Sequence, residues 1–180
     1  MQKLTESEIL EAIQSGEPFS ACHEDGAFEI KVEEYCPHIG TAIHAGHTLR
    51  QDLLDNCLLD DAARLLEEDP FTDSFVSDFP ITLVGRDSRY EYDLNRGPDT
   101  AVYDTAWGVE VWRQPLTDAQ RETSLAKHAR FYRLMRALAA QLEQRFGGAL
   151  IVDTHSYNYR VREHAAPPVF NIGTEQVDEE

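Results

Sequence analysis

The sequence predicts an α/β fold of three layers, α/β/α, around a mostly parallel mixed sheet. Three observations predict it. Short apolar runs alternate along the chain with stretches of helical periodicity, the pattern of an α/β layered domain. The longest such stretch, Thr117 to Phe146, passes through Gly147-Gly148 directly into the continuous apolar run Ala149–Val152. Polar residues able to do chemistry collect where apolar runs end, and in open α/β sheets sites lie beyond the carboxyl ends of strands.

The elements follow in order. Thr5-Glu6-Ser7-Glu8 is a capping-box pattern, and Ile9, Leu10 and Ile13 continue it at helical spacing, so a helix is expected over Thr5–Ser15. Phe19–Cys22 and Ala27–Glu33 flank the turn signal Asp25-Gly26 and read as a hairpin with one solvated face. Residues 1–34 are thus an N-terminal helix and hairpin. Tyr35–Ile43 reads as a more buried strand interrupted by Pro37, leading into His44-Ala45-Gly46-His47. Leu49–Leu66 carries Leu53, Leu54, Leu58, Ala62, Leu65 and Leu66 on one side and reads as an amphipathic helix. Pro70 ends it, and Thr72 or Asp73 is expected to cap a short successor. Ile81–Val84 and Arg89–Leu94 read as strands, the second stopped by Gly97-Pro98. In Thr117–Phe146, Leu125, His128, Tyr132, Met135, Leu138 and Leu142 lie on the apolar stripe. Ala149–Val152 is expected to be buried on both faces, and Val169–Ile172 to form one more strand. The acidic end, 175–180, is expected to be a mobile tail.

With 180 residues and 42% hydrophobic composition, the chain can bury a sizeable core as one domain spanning 1–180. No apolar run approaches the roughly 20 residues of a membrane span, and no basic start precedes an apolar stretch as in a signal peptide. A cytoplasmic protein with no membrane partner is the expectation. A formal net charge of −17 argues against nucleic acid, whose phosphates it would repel. In so acidic a chain, clustered arginines are notable. Cys22, Cys36 and Cys57 show no metal-ligand or redox spacing and read as free thiols.

Four groups of residues could carry chemistry. Asp153-Thr154-His155 ends an apolar run, which presents an imidazole with a carboxylate near enough to orient it. An isolated histidine there is more often just exposed, and company raises its weight. That company is His44 and His47, where His-x-x-His on a helical turn puts both rings on one face. His44 is the favoured metal ligand, with His47 held more loosely. Glu67-Glu68-Asp69-Pro70-Phe71-Thr72-Asp73 is a carboxylate run that reads first as a solvated helix boundary. A zinc site with two histidines takes a carboxylate, for which Asp69 is the choice and Asp73 the reserve. Arg89, Asn95 and Arg96 suit a substrate carboxylate, which a guanidinium grips bidentately, although salt bridges to Asp87, Glu91 or Asp93 compete.

Taken together, Ala42-Ile43-His44-Ala45-Gly46, Glu68 to Asp73, Ser88-Arg89-Tyr90-Glu91-Tyr92-Asp93-Leu94-Asn95-Arg96 and Asp153-Thr154-His155-Ser156 resemble the N-formylglutamate amidohydrolase family over about Tyr35–Thr174. His-Ser-Tyr and Asn-Arg are also similar to elements of the zinc carboxypeptidases and aspartoacylases. The resemblance implies a zinc-exopeptidase-like fold and one divalent metal, zinc. Its ligands would be drawn from His44, His155, Asp69 and His47, with Arg89, Asn95 and Arg96 cradling the substrate carboxylate. It implies metal-dependent hydrolysis of N-formylglutamate or a similar small N-acyl amino acid. His47 stands where carboxypeptidases have a Glu ligand. No residue matches their late glutamate base, so no general base is assigned and the chain is expected to lack a C-terminal segment of the family fold. Two alternatives remain: binding of an acyl amino acid or other small carboxylate without turnover, and a zinc amidase acting on a peptide or cell-wall amide.

Overall fold

The computed structural model describes residues 1–157 and 172–173. It forms a mixed six-stranded sheet in the order β1-β2-β3-β5-β4-β8. The strands are β1 Gln2–Leu4, β2 Phe19–His23, β3 Phe28–Val32, β4 His38–Ala42, β5 Ile81–Gly85 and β8 Leu150–Asp153. A separate two-stranded hairpin comprises β6 Thr105–Ala106 and β7 Val109–Glu110. Pairing is parallel for β1/β2, β4/β5 and β4/β8, and antiparallel for β2/β3 and β3/β5. The N-terminal hairpin therefore extends the central sheet, through the pairing of β3 with β5. The short parallel strand β1 gave no periodic signal in sequence.

Helices α1 Glu6–Ser15 and α5 Asp118–Phe146 cover one face. Ile9 and Ile13 from α1, with Phe131, Leu134, Leu138 and Leu142 from α5, pack on Ile30, Ile39, Ile81 and Leu83 of the strands. Both helices start with capping boxes, the expected one of Thr5 with Glu8 and a second of Thr117 with Gln120. The second face is thinner. There α4, Thr72–Phe75, and the turn after it lay Val76 and Phe79 over Ala42 and Val84. Gly40 makes that close approach possible, because a Cβ there would meet Phe79 at 2.8 Å. A third apolar cluster, including Leu49, Leu53, Tyr90, Tyr103 and Trp112, lies under the long connection between β5 and α5.

Several expectations are corrected. Leu49–Leu66 is not one helix but two short ones, α2 Gln51–Leu54 and α3 Asp61–Leu65. The chain leaves the helix because Leu58 N donates to Val111 O at 2.8 Å and Cys57 bridges Trp112, after which Asp60 caps α3. Leu54, Leu58, Leu65 and Leu66 are consequently exposed. The α4 N-cap position is Phe71, in left-handed backbone without a side-chain cap, while Thr72 is buried and bonds back to Asp69 O. Only His38–Ala42 of the Tyr35–Ile43 run is strand. Arg89–Leu94 is not a strand. Its backbone turns, and the run from Tyr90 to Leu94 is buried throughout, charged residues included. β8 is the outer strand of the sheet among the described residues, so Leu150 and Ile151 are exposed and not covered on both faces. The strand expected at Val169–Ile172 and the tail expected at 175–180 lie outside the described residues, apart from Ile172, which is in no strand. No helix among the described residues is long and apolar enough to cross a membrane.

Candidate metal centre

Parallel neighbours deliver their carboxyl ends to the same edge of a sheet, and β4 and β8 do so here. Thr41 pairs with Asp153, so the segments that follow carry His44 and His155 out side by side. Thr154 N donates to Thr41 O at 2.8 Å and extends the alignment past the strands. Gly46 lets the segment after β4 cross the end of β5, since a Cβ there would fall 2.2 Å from the backbone of Arg86. Asp69 reaches the same place because its backbone N–H donates to His44 O at 3.0 Å.

His44, Asp69 and His155 each offer a ligand atom, and these atoms lie within 4.8 Å of one another. Both histidines turn Nδ1 towards Asp69 Oδ2, at 3.4 Å for His44 and 3.1 Å for His155. Both give Nε2 to another carboxylate. His44 Nε2 donates to Asp93 Oδ1 at 2.8 Å, and His155 Nε2 to Asp153 Oδ2 at 2.8 Å. Asp153 is itself fixed by Thr41 Oγ1 at 2.6 Å, and Ser156 Oγ donates to Asp69 Oδ1 at 2.8 Å. A carboxylate on one ring nitrogen fixes the tautomer and aims the other nitrogen, the usual support of a metal-binding histidine. His44 Nδ1 is buried and has no hydrogen-bond partner among the described residues. A buried polar atom left unbonded calls for an explanation, and a cation between two imidazoles and a carboxylate supplies one.

The charges of the site are strongly coupled. Burial pushes the Asp69 carboxyl up, but His155, the His44 ring and Ser156 outweigh it and hold it well below the usual carboxylate range. Asp93 behaves alike: burial raises it, and His44 and Arg89 bring it far down. Hydrogen bonds from His155 to Asp153 and Asp69 raise its imidazole to about 9.

The other sequence-predicted residues divide. His47 is not among the three that converge. Its Nδ1 bonds Glu68, and Arg64 Nη2 donates to its Nε2 at 3.1 Å, so both ring nitrogens are engaged. Glu68 is buried and also takes the Ser88 hydroxyl. Asp73 points elsewhere, to Arg86 Nη1 at 2.8 Å. Arg89 is tied inward, to Asp93 Oδ2 at 2.8 Å and Glu67 O at 2.7 Å. Asn95 is exposed, with its backbone N–H on Asp93 Oδ1. Arg96 is 47% exposed and only loosely paired with Asp93, at 3.6 Å.

Sequence reading missed Asp93 and Glu68 as supporting residues, whereas it had offered Asp153 as the carboxylate that orients His155. Asp93 had a signal: it lies two residues before Asn95-Arg96, in the same short stretch as the clustered arginines. The alternation of Tyr90, Tyr92 and Leu94 concealed it by imitating a strand. The whole segment is held from below by α5. Lys127 Nζ lies 3.0 Å from Asp87 and 2.9 Å from Glu91, His128 Nε2 donates to Arg96 O at 2.9 Å, and the Tyr132 hydroxyl donates to Leu94 O.

Comparison with known proteins agrees with this fold. The family model described as N-formylglutamate amidohydrolase matches residues 36–180. The structure is similar to a crystal structure of N-formylglutamate amidohydrolase from Ralstonia eutropha JMP134, with a TM-score of 0.62 and 17% identity. That match covers 72% of this chain and 56% of the other. A gene product of Agrobacterium tumefaciens matches with a TM-score of 0.62 and 20% identity, covering 73% of this chain and 56% of that one. The chain thus spans little more than half the length of these structural neighbours. No protein of curated function matches it.

Proposed function

Because the chain belongs to the N-formylglutamate amidohydrolase family, we propose that it hydrolyses the amide of N-formylglutamate or a similar small N-acyl amino acid at one divalent metal. The observation that carries the reading is the buried Nδ1 of His44, which has no hydrogen-bond partner among the described residues and faces Asp69 and His155 while Asp93 holds its Nε2. Two nitrogens and one carboxylate oxygen suit zinc with a position left open, and these three residues would hold it. Such a metal supplies polarisation of the amide carbonyl and a bound water of lowered pKa.

The chain's own groups would do the rest. Asp93 and Asp153 keep the Nε2 protons in place, so that both Nδ1 atoms face Asp69 and would offer their lone pairs to a metal once His155 has given up its Nδ1 proton. Ser156 occupies Oδ1 of Asp69 and leaves Oδ2 for the metal. Arg96, exposed and weakly paired, is the guanidinium free to take a substrate carboxylate, with the exposed Asn95 beside it. Arg89 is reassigned from substrate contact to support, because its bonds run to Asp93 and Glu67 O.

The test combines metal analysis with formate release from N-formyl-L-glutamate. One zinc per chain and formate production are expected, with His44→Ala and His155→Ala losing the metal. Asp93→Asn should weaken zinc about 10- to 100-fold, the usual effect of losing a group that orients a ligand. A chain that takes up no metal and releases no formate would refute the proposal. One observation favours a second reading, binding without turnover. Asp69, Asp93, Asp153 and Glu68 each already accept a hydrogen bond from a histidine, arginine or hydroxyl, so none of these four stands free as a base. Saturable binding of N-formylglutamate to zinc-loaded protein, without formate, would distinguish it.

A further inference from the structure

The β6–β7 hairpin breaks a local rule. Its two-residue turn is Trp107-Gly108, and both residues have positive φ, 50° and 80°. Turns of that kind take Asn, Asp or Gly first, because a bulky side chain is strained in left-handed backbone. A strained residue that persists is held by its surroundings and often marks function. The surroundings here are two arginines. The Arg89 guanidinium lies over the Trp107 ring, 4.7 Å from its centroid. The Arg96 guanidinium lies over the Tyr103 ring at 5.0 Å. Trp107 and Tyr103 meet edge to face at 5.5 Å, and both pack edge-on against Tyr90. Asp93 joins the two arginines at the base. Tyr103 is buried, yet its hydroxyl has no hydrogen-bond partner among the described residues, so it is the ring face that is in use.

We propose that Tyr103 and Trp107 are positioning residues, a pair of aromatic plates that hold the two arginines of the site. Tyr103 fixes Arg96 in the direction from which it meets a substrate carboxylate. Trp107 covers the Arg89–Asp93 pair and so keeps the support of His44 out of water. The inference rests on the proposed function for the part that concerns Arg96, and its consequences are readable without turnover. A stacked cation is attracted to the ring face by an energy equivalent to about 3- to 30-fold in an equilibrium constant.

The experiment measures two equilibria on the full chain: zinc affinity by chelator competition, and binding of N-formyl-L-glutamate and its α-amide to zinc-loaded protein by calorimetry. Tyr103→Leu should reduce the preference for the carboxylate over the amide about 3- to 30-fold and leave zinc affinity unchanged. Tyr103→Phe, which keeps the ring, should preserve the preference and melt no lower than the parent. Trp107→Asn, a residue suited to the turn, should weaken zinc about 3- to 30-fold, and Trp107→Phe should recover most of it. A merely structural role would weaken both ligands together and leave the preference intact. The inference is overturned if Tyr103→Leu keeps the full preference, or if Trp107→Asn binds zinc as the parent does. Arg96→Ala separates the failures. If it too leaves the preference unchanged, or if the parent binds neither ligand, the reading of Arg96 as the carboxylate contact falls and takes the Tyr103 half of the inference with it. If it abolishes the preference while Tyr103→Leu does not, only the inference falls.

Discussion

His155 sits between two carboxylates, Asp153 on Nε2 and Asp69 on Nδ1, and that arrangement fits an imidazole protonated on both nitrogens. Its pKa of about 9 means that the metal-free chain carries this proton at neutral pH. A metal at Nδ1 must displace it, because only a free lone pair can coordinate. Zinc binding at pH 7 should therefore release about one proton, measured by calorimetry in buffers of different ionisation enthalpy. Zinc affinity should rise with pH up to about 9. For the metal-free chain the sign is opposite. The raised pKa contributes stability that is complete below the unfolded value of about 6.5 and is lost as pH climbs through about 9. At this scale the sequence was partly readable. His44 and His155 could be found because each ends an apolar run. Asp93 was harder to find, since buried carboxylates leave no periodic mark and its neighbours mimicked a strand, so that only its place beside the clustered arginines marked it.

At the level of elements, α5 does more than cover the sheet. Its Lys127 lies between Asp87 and Glu91, which are buried. Glu91 also takes Arg50 at 2.8 Å, and Asp87 takes the Tyr92 hydroxyl at 2.7 Å. Burial, followed by the charge of Glu91, raises the Asp87 carboxyl, while Lys127 and Tyr92 oppose the rise. Lys127→Met would leave buried negative charge short of a partner, and breaking one side of such a pair costs about 3–5 kcal/mol. Denaturant melts should show a loss of that order. If stability were unchanged, the cluster would contribute nothing net. The capping box of α1 and the glycine end of α5 were legible because they are local. The Leu49–Leu66 segment was misread because its leucines keep helical spacing, whereas Val111 and Trp112, some fifty residues later, pull the chain out of the helix.

For the molecule as a whole, net charge exerts an influence that no single contact shows. A net charge of −17 on 180 residues opposes the compact state by self-repulsion. Raising salt from about 0.05 to 0.5 M shortens the screening length several-fold and should raise the melting temperature. A fall instead would mean that the ion pairs of the loops outweigh the net repulsion. The α/β layering was predictable at this scale from the alternation of elements. The thinness of the second face was not, because Gly40, Val76 and Phe79 meet only after the chain has folded.

The parallel pairing of β4 with β8 carries a consequence for the order of folding. Thr41 and Asp153 are 112 residues apart in sequence, and the pair of strands that brings them together also brings His44 to His155. All the chain between the two strands must close as one long loop before the second histidine arrives, and such distant contacts form late and slowly. The three candidate ligands are therefore not a pocket waiting on a finished half of the molecule but the clasp of a long loop. A cation held there would join the first half of the chain to its far end, and stripping it out would loosen the closure of the sheet before anything else.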